Sequence, residues 1–450
     1  MTQPCFLSAG EAADAILAGG LTSEALVASC LDRIAAREPY VRAWAYLDPA
    51  AALAEARARD REAPRGRLHG IPFGVKDVID TADMPTEFGA RAFAGRRPSR
   101  DAAGVALLRA AGAVILGKTV TAELANYHPG ATINPRRTGH TPGGSSSGSA
   151  AAVADCHVPI ALGTQTAGSI IRPACFCGVF GLKPSFNRYP SAGMLETAAH
   201  LDTLGGFART TDDLLLMDAV LAGDHAVQTP SWPLVIALCR GPVWNEASAS
   251  VRDALAETAE ALAHSGATII ERELPAPFDP LPAAQAVIHK REVWANLDYV
   301  RRDCPDGLSD EFKAFLDEGA GITEADYKAA LATQRVCKAA AIGAFAGLDL
   351  VLTPGAKGMA PAGLGATGDP VFSRLWTAAG LPCLGFPAVW KRDLPVGLQF
   401  VGPPRGDRAM LRNAGGLLTT IGLVARITTP HDLHLTESID GTNPPRALFG

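Results

Sequence analysis

Two runs rich in glycine and hydroxyl residues, close together in the sequence, constrain this chain more than any other feature. Residues 141–153 read TPGGSSSGSAAAV, and residues 163–174 read GTQTAGSIIRPA. Glycine lets backbone amides approach a ligand, and serine can act as a nucleophile or a proton relay. The first run becomes alanine-rich, which favours a helix, and the second follows VPIAL at residues 158–162, which is typical of a buried strand. A serine on a turn after a buried strand is where an exposed nucleophile is expected.

The length and composition indicate a globular protein with a large core. The chain has 450 residues, of which 48% are hydrophobic and 19% charged, so it is not of the disordered type. Length alone would allow two or three domains. The net charge is −5 and the basic residues are scattered, which predicts no binding of nucleic acid or of an anionic membrane surface.

The cysteines and the N-terminal segment predict a cytoplasmic protein. The nine cysteines are an odd number and are dispersed, and the one close pair, Cys175 and Cys177, does not have the spacing of a zinc site. We therefore expect reduced, mostly buried thiols. The first residues lack the pattern of a signal peptide, and no apolar run reaches the roughly 18–20 residues that span a bilayer.

Helix and strand patterns alternate along the chain, which favours an α/β fold with a mostly parallel or mixed sheet. Helices are predicted over residues 24–38, 51–63, 103–111, 251–264 and most of 283–346. Strands are predicted over residues 71–78, 113–117, 158–162, 234–238, 267–270 and 349–354. Residues 234–270 thus form a βαβ-like unit. We find neither a linker that divides the chain nor an internal repeat.

A third segment, GIPFGVKD at residues 70–77, completes a specific combination of motifs. With it the chain resembles the amidase signature family, and most closely its malonamidase-like members, from about residue 21 to about residue 412. These enzymes hydrolyse carboxamides with a Ser–cis-Ser–Lys triad. The resemblance implies that Ser169 is the nucleophile, that Ser145 is the bridging serine after a cis peptide bond, and that Lys76 is the base.

The resemblance also implies an architecture. We expect a single domain over residues 1–450, built on a large mixed, mostly parallel β-sheet with helices on both faces. The helical segment at about residues 283–346 is expected to border the substrate cleft.

The chemistry of these residue types agrees with the resemblance. Amide hydrolysis needs a nucleophile and donors for the developing oxyanion, and the backbone N–H groups of residues 166–169 (Thr166, Ala167, Gly168 and Ser169) are candidates for those donors. A lysine after the apolar segment 71–75 is expected to point inward, where burial disfavours its charged form. A neutral Lys76 could then accept the proton of Ser169 through Ser145. The alternative readings are an N-cap serine for Ser169 and a surface lysine for Lys76.

Other residues near the motifs are predicted to support the site. Ser147 and Thr164 are expected to hold the loops and to orient the triad. Gln165 stands where the family more often has an aspartate, which removes a charge next to the site. Asp202 and Arg209 also match the family and are interpreted as a structural pair.

Arg172 is a second departure from the family pattern, because it lies three residues after Ser169 rather than two. In the malonamidase-like subset this arginine binds a substrate carboxylate, and the planar guanidinium suits that role. The alternative is a structural ion pair, and the sequence does not decide between them.

The preferred functional hypothesis is a free-standing cytoplasmic amidase that acts on a small amide without a metal or organic cofactor. Its expected partner is the small-molecule substrate alone, with no nucleic acid and no membrane, and a homodimer is compatible with the sequence. The alternative is a component of a tRNA-dependent amidotransferase that generates ammonia from glutamine within a complex. A phosphate-binding loop at residues 143–149 is disfavoured because the Gly-Lys-Ser/Thr ending is absent. A binding protein with an inactive site is disfavoured because every triad position is filled.

Overall fold

A computed structural model describes residues 3–226 and 232–428. Its helices are α1 (Ala9–Leu17), α2 (Ser23–Val41), α3 (Pro49–Arg59), α4 (Ala103–Ala110), α5 (Ser147–Ala154), α6 (Ile171–Cys177), α7 (Thr211–Ala222), α8 (Ala249–His264), α9 (Leu281–Asp303), α10 (Asp310–Ala320), α11 (Glu324–Ala344), α12 (Val371–Ala378), α13 (Asp407–Thr420) and α14 (Leu423–Thr428). Its strands are β1 (Trp44–Leu47), β2 (Pro72–Lys76), β3 (Val114–Thr119), β4 (Ile160–Gln165), β5 (Phe180–Lys183), β6 (Thr203–Ala208), β7 (Val235–Leu238), β8 (Thr268–Glu271), β9 (Leu350–Pro354), β10 (Cys383–Lys391) and β11 (Leu394–Val401).

The strands form one eleven-stranded sheet in the order β1-β3-β2-β4-β6-β5-β10-β11-β9-β7-β8. Alternate residues of a strand belong to different hydrophobic clusters. Leu350 and Leu352 of β9 pack in one cluster, whereas Val351 packs in the other. Because successive side chains of a strand point to opposite faces, both faces of the sheet are covered. The predicted α/β fold, with a large mixed sheet between helices, is confirmed.

The predicted excess of parallel strands is wrong. Among the described residues, six strand pairings are antiparallel (β1–β3, β4–β6, β5–β6, β5–β10, β9–β11 and β10–β11) and four are parallel (β2–β3, β2–β4, β7–β8 and β7–β9). β10 and β11 are joined through Arg392 and Asp393, which both have positive φ, and such a two-residue turn requires antiparallel strands. The absence of glycine from this turn explains why the sequence pattern did not reveal it.

The N-terminal half of the sheet places the three motif segments side by side. β2, which ends at Lys76, lies between β3 and β4 and is parallel to both. Carboxyl ends of parallel strands lie at the same edge of a sheet, so the turn after β4 lies beside Lys76. Thr22 caps α2, because its side chain accepts the N–H of Ala25. The single-domain prediction for residues 1–450 extends beyond the described residues and stays a prediction.

The remaining predictions concern the state of the cysteines and the presence of membrane-spanning helices. All nine cysteines are unpaired thiols, and eight of them are buried. Within residues 3–226 and 232–428, no helix combines the length and the apolar character that crossing a membrane requires.

Candidate active site

Lys76 lies at the centre of the site and is completely buried at the end of β2. Its Nζ is 2.8 Å from the Oγ of Ser145 and 2.8 Å from the Oγ1 of Thr164. Burial lowers the pKa of Lys76 to about 7, which the charge of Asp202 opposes and that of Arg172 reinforces. The amine is therefore substantially neutral near neutral pH, and it can then donate one hydrogen bond to Thr164 and accept one from Ser145.

The first glycine- and serine-rich run folds into a turn that leads into α5. The peptide bond between Gly144 and Ser145 is cis. Gly143 has φ of +80°, and a Cβ there would lie 2.9 Å from the Cα of Pro173, so glycine is required at this position. Ser146 links the two runs through Thr164. Its Oγ donates to the carbonyl oxygen of Thr164 at 3.2 Å and accepts the N–H of the same residue at 3.3 Å.

The second run forms a turn in which the carbonyl groups of residues 166–169 all accept hydrogen bonds from the protein. The carbonyl of Thr166 accepts a hydrogen bond from Gln285, that of Ala167 from Thr377, that of Gly168 from the N–H of Arg172 and that of Ser169 from the N–H of Ser146. Among the described residues, the N–H groups of residues 167–169 have no acceptor. These N–H groups therefore remain available as donors in the cavity, as an oxyanion hole requires.

A small cavity of about 260 Å³, including its opening, lies against this turn. It is lined by residues 125–127, residues 166–169, Arg172, His289 and Pro370. The nucleophile candidate Ser169 is 7% exposed, and its hydroxyl forms no hydrogen bond with a described residue.

Arg172 lies on α6 and is 3% exposed. Its Nη2 donates to the carbonyl of Gly144 at 2.6 Å and to the Oγ1 of Thr367 at 3.2 Å. Its Nε and Nη1 are buried without a partner, and no carboxylate of the described residues forms an ion pair with it. Burial lowers the pKa of Arg172 to about 10, so the guanidinium remains charged near neutral pH. The structural ion pair considered above is not present among the described residues.

The predicted support residues take different positions. Thr164 contacts Lys76 directly, whereas Ser147 donates to the carbonyl of Val120 at 3.3 Å and forms no hydrogen bond with Lys76. Gln165 faces away from the cavity. Its Oε1 accepts the N–H groups of Ile170 and Ile171 at 2.8 and 3.0 Å, and its Nε2 donates to Thr377 at 2.9 Å. Gln165 therefore holds the start of α6 rather than a substrate.

Asp202 and Arg209 are not paired with each other, contrary to the sequence interpretation. Asp202 accepts hydrogen bonds from the hydroxyl of Thr166 at 2.5 Å and from the N–H groups of Thr197 and Ala198 at 2.7 and 2.9 Å. Burial raises the pKa of Asp202 to about 6. The guanidinium of Arg209 instead binds backbone carbonyls, among them that of Val158 at 3.0 Å.

Five residues that line the cavity were not predicted from the sequence, namely Ala125, Asn126, Tyr127, His289 and Pro370. Gln285 and His289 are four residues apart on α9, so they lie on one face of that helix. Gln285 binds the carbonyl of Thr166 at 3.0 Å. His289 is 5% exposed, its Nε2 has no partner, and burial lowers its pKa to about 3. The helical spacing of Gln285 and His289 within a buried stretch was a signal that could have revealed these two residues.

Together, a buried lysine, a serine after a cis peptide bond and a turn with free N–H groups define a class of site known from serine-dependent amidases. The chain belongs to the Amidase family, whose profile matches residues 25–411. One relative is a component of the glutamyl-tRNA(Gln) amidotransferase of Chloroflexus aggregans. It is 35% identical to this chain, over 92% of this chain and 96% of that protein.

Solved structures show the same fold over nearly the whole chain. A crystal structure of an amidase has a TM-score of 0.85 at 30% identity, covering 92% of this chain and 99% of that one. The peptide amidase of Stenotrophomonas maltophilia has a TM-score of 0.78 at 28% identity, covering 92% and 97%. These likenesses confirm the amidase signature family.

The curated relatives correct the partner prediction and leave the subfamily unconfirmed. Proteins from Chloroflexus aggregans and Coxiella burnetii, 35% and 32% identical to this chain, are components of an amidotransferase named for a tRNA. The expectation of a small-molecule substrate as the sole partner, with no nucleic acid, is therefore wrong. The prediction of no nucleic acid was based on the net charge, which describes the isolated chain and not an assembly. These relatives also do not confirm the resemblance to malonamidase-like members.

Proposed function

We propose that this chain cleaves a small carboxamide through an acyl-enzyme at Ser169 and releases ammonia. The observation that carries the proposal is the buried Lys76, bonded to Ser145 and Thr164 next to a cavity lined by Ser169. A buried lysine with a pKa of about 7 is suited to general base catalysis near neutral pH.

In the proposed reaction the Oγ of Ser169 attacks the amide carbonyl carbon, and its proton passes through the Oγ of Ser145 to the neutral Lys76. The free N–H groups of residues 167–169 stabilise the oxyanion. The C–N bond then breaks, the proton returns through Ser145 to the departing nitrogen, and ammonia leaves. Water attacks the resulting ester, which releases the acid and restores Ser169.

We further propose that the substrate carries a carboxylate that binds Arg172. Arg172, whose Nε and Nη1 have no partner, lines the same small cavity as Ser169. A substrate carboxylate would accept a charge-assisted hydrogen bond from one of these two nitrogens. Glutamine and short dicarboxylic acid monoamides both combine a carboxamide with a carboxylate, so both fit this requirement.

The relatives favour ammonia transfer as the setting of this reaction. Several curated relatives are amidotransferase components that match over 92% of the chain, which supports a role in which this chain generates ammonia from glutamine for an amidotransferase. Hydrolysis of a small amide is the second candidate. The likeness to a solved amidase at 30% identity favours it.

The catalytic and substrate proposals are tested by measuring ammonia release from glutamine, succinamate and the neutral butyramide. Ser169→Ala should abolish release from all three. Arg172→Lys should weaken the binding of the two carboxylate-bearing amides by about tenfold to a hundredfold, because a charge-assisted hydrogen bond contributes about 1.5–3 kcal/mol and the lysine ammonium does not place a donor where Nε and Nη1 lie. Butyramide should change little. An equal loss with charged and neutral amides would contradict a substrate role for Arg172.

A separate experiment tests whether this chain acts within an amidotransferase or alone. In it, the tagged chain is isolated from its native cells. A component of an amidotransferase should copurify with further proteins of that complex, and the isolated assembly should convert glutamyl-tRNA(Gln) to its amide. Isolation of the chain alone, with full ammonia release and no tRNA-dependent activity, would favour the small-amide candidate.

A further inference from the structure

Asn126 presents a buried hydrogen-bond acceptor in the same cavity as Ser169. The residue is 5% exposed, and its Nδ2 donates to the carbonyl of Leu124 at 2.8 Å. This contact fixes the orientation of the amide, because a carbonyl oxygen can only face the NH₂ group. The Oδ1 is therefore the remaining atom, and it is buried without a donor.

The loop that carries Asn126 is held firmly in place. Leu124 and Ala125 both have positive φ, at 48° and 60°, which non-glycine residues adopt rarely and mostly at functional sites. The N–H of Asn126 donates to the carbonyl of Glu123 at 2.8 Å. The Glu123 carboxylate in turn accepts the N–H of Ser309 at 3.0 Å and binds its hydroxyl. The position of the Asn126 oxygen is thus set before any substrate binds.

The cavity therefore contains unsatisfied groups of both kinds. The Nε and Nη1 of Arg172 are donors without an acceptor, and the Oδ1 of Asn126 is an acceptor without a donor. Buried polar atoms in proteins nearly always have a partner, and an unmet one is costly. A ligand that carries both an anionic group and an N–H group would satisfy these atoms.

We propose that Asn126 is a specificity-determining residue that accepts a second N–H group of the substrate, in addition to the carboxylate bound by Arg172. The substrate class is then a short carboxamide that carries a carboxylate and an amino, amide or ureido N–H. This inference rests on the proposed function, since it requires that the cavity bind a carboxamide for Ser169.

The test compares matched ligands by calorimetric binding to Ser169→Ala, which cannot turn them over. Hydantoate and succinamate differ by an NH in place of a CH₂, and glutamine and glutaramate differ by the amino group. In at least one pair, the member with the additional N–H should bind about tenfold to a hundredfold more tightly, because the analogue leaves the Asn126 oxygen unpaired.

Adding Asn126→Leu, which has a similar shape but no acceptor, should remove that preference. Adding Asn245→Leu instead, at an exposed asparagine outside the cavity, should preserve it. Equal affinity within both pairs, a preference that survives Asn126→Leu, or an equal loss for both members would overturn the proposal.

If Asn126→Leu does not fold, equal affinity within both ligand pairs would still overturn the proposal. Failure of the proposed function would look different. In that case the unmodified chain would release no ammonia from any amide, whereas failure of the Asn126 proposal alone would leave turnover intact.

Discussion

Replacing Asp202 by asparagine should move the acidic limb of the pH–rate profile to lower pH. The charge of Asp202 raises the pKa of the buried Lys76, so its removal destabilises the ammonium form and the neutral base appears at lower pH. Asparagine can keep the local contacts. Its oxygen can accept the N–H groups of Thr197 and Ala198, and its NH₂ can donate to the hydroxyl of Thr166.

The size of the pH effect follows from the burial of Lys76. A pKa lowered from 10.5 to about 7 corresponds to about 5 kcal/mol of lost preference for the charged form. The neutral fraction is then about one tenth at pH 6 and about nine tenths at pH 8. We expect kcat/KM for a neutral amide such as butyramide to rise about tenfold per pH unit below pH 7 and to level off above about pH 8.

A variant that shifts the pKa of Lys76 in the opposite direction provides the control. Arg172 lowers the pKa of Lys76, so Arg172→Gln should move the limb to higher pH, and butyramide avoids the loss of carboxylate binding. Because Asp202 itself has a pKa of about 6, the wild-type limb reports the coupled pair. A flat profile between pH 5 and 8, or a shift in the same direction for both variants, would refute Lys76 as the base.

Two further predictions concern the residues around Lys76 and the turn after β4. Ser145→Ala should reduce kcat by at least about 10³-fold, because the members of a proton relay act as a unit. Thr164→Val should cost less, since it removes a neighbour of the amine but not the relay, and equal losses in ammonia release would contradict the bridging role of Ser145. Gln165→Leu should lower the free energy of unfolding by about 3 kcal/mol, because the buried N–H groups of Ile170 and Ile171 lose their acceptor. Urea denaturation measures this, and a change below about 0.5 kcal/mol would show that the contacts are unimportant.

The sequence predicted the elements whose residues interact locally or carry a motif. The helices α2 and α8 and the strands β2, β4 and β9 occur within a few residues of their predicted bounds, because a hydrophobic period is a local property. Lys76, Ser145 and Thr164, on three separate segments, come within hydrogen-bonding distance as the motif combination implied.

The substrate side of the cavity could not be predicted in the same way. Asn126 and His289 are 163 positions apart in the sequence, and neither belongs to a recognisable motif. Their common role arises from packing between a loop and α9, which no local pattern encodes.

Two neighbouring positions of α9, Gln285 and His289, serve different parts of the proposed site. Gln285 holds the turn that would bind the oxyanion, and His289, one helical turn further on, faces the substrate space. The turn after β4 and the space proposed for the substrate are thus both contacted from neighbouring positions of one helix. We expect that substitutions at position 289, with glutamine kept at position 285, change which amides bind in the cavity and leave the turn after β4 intact.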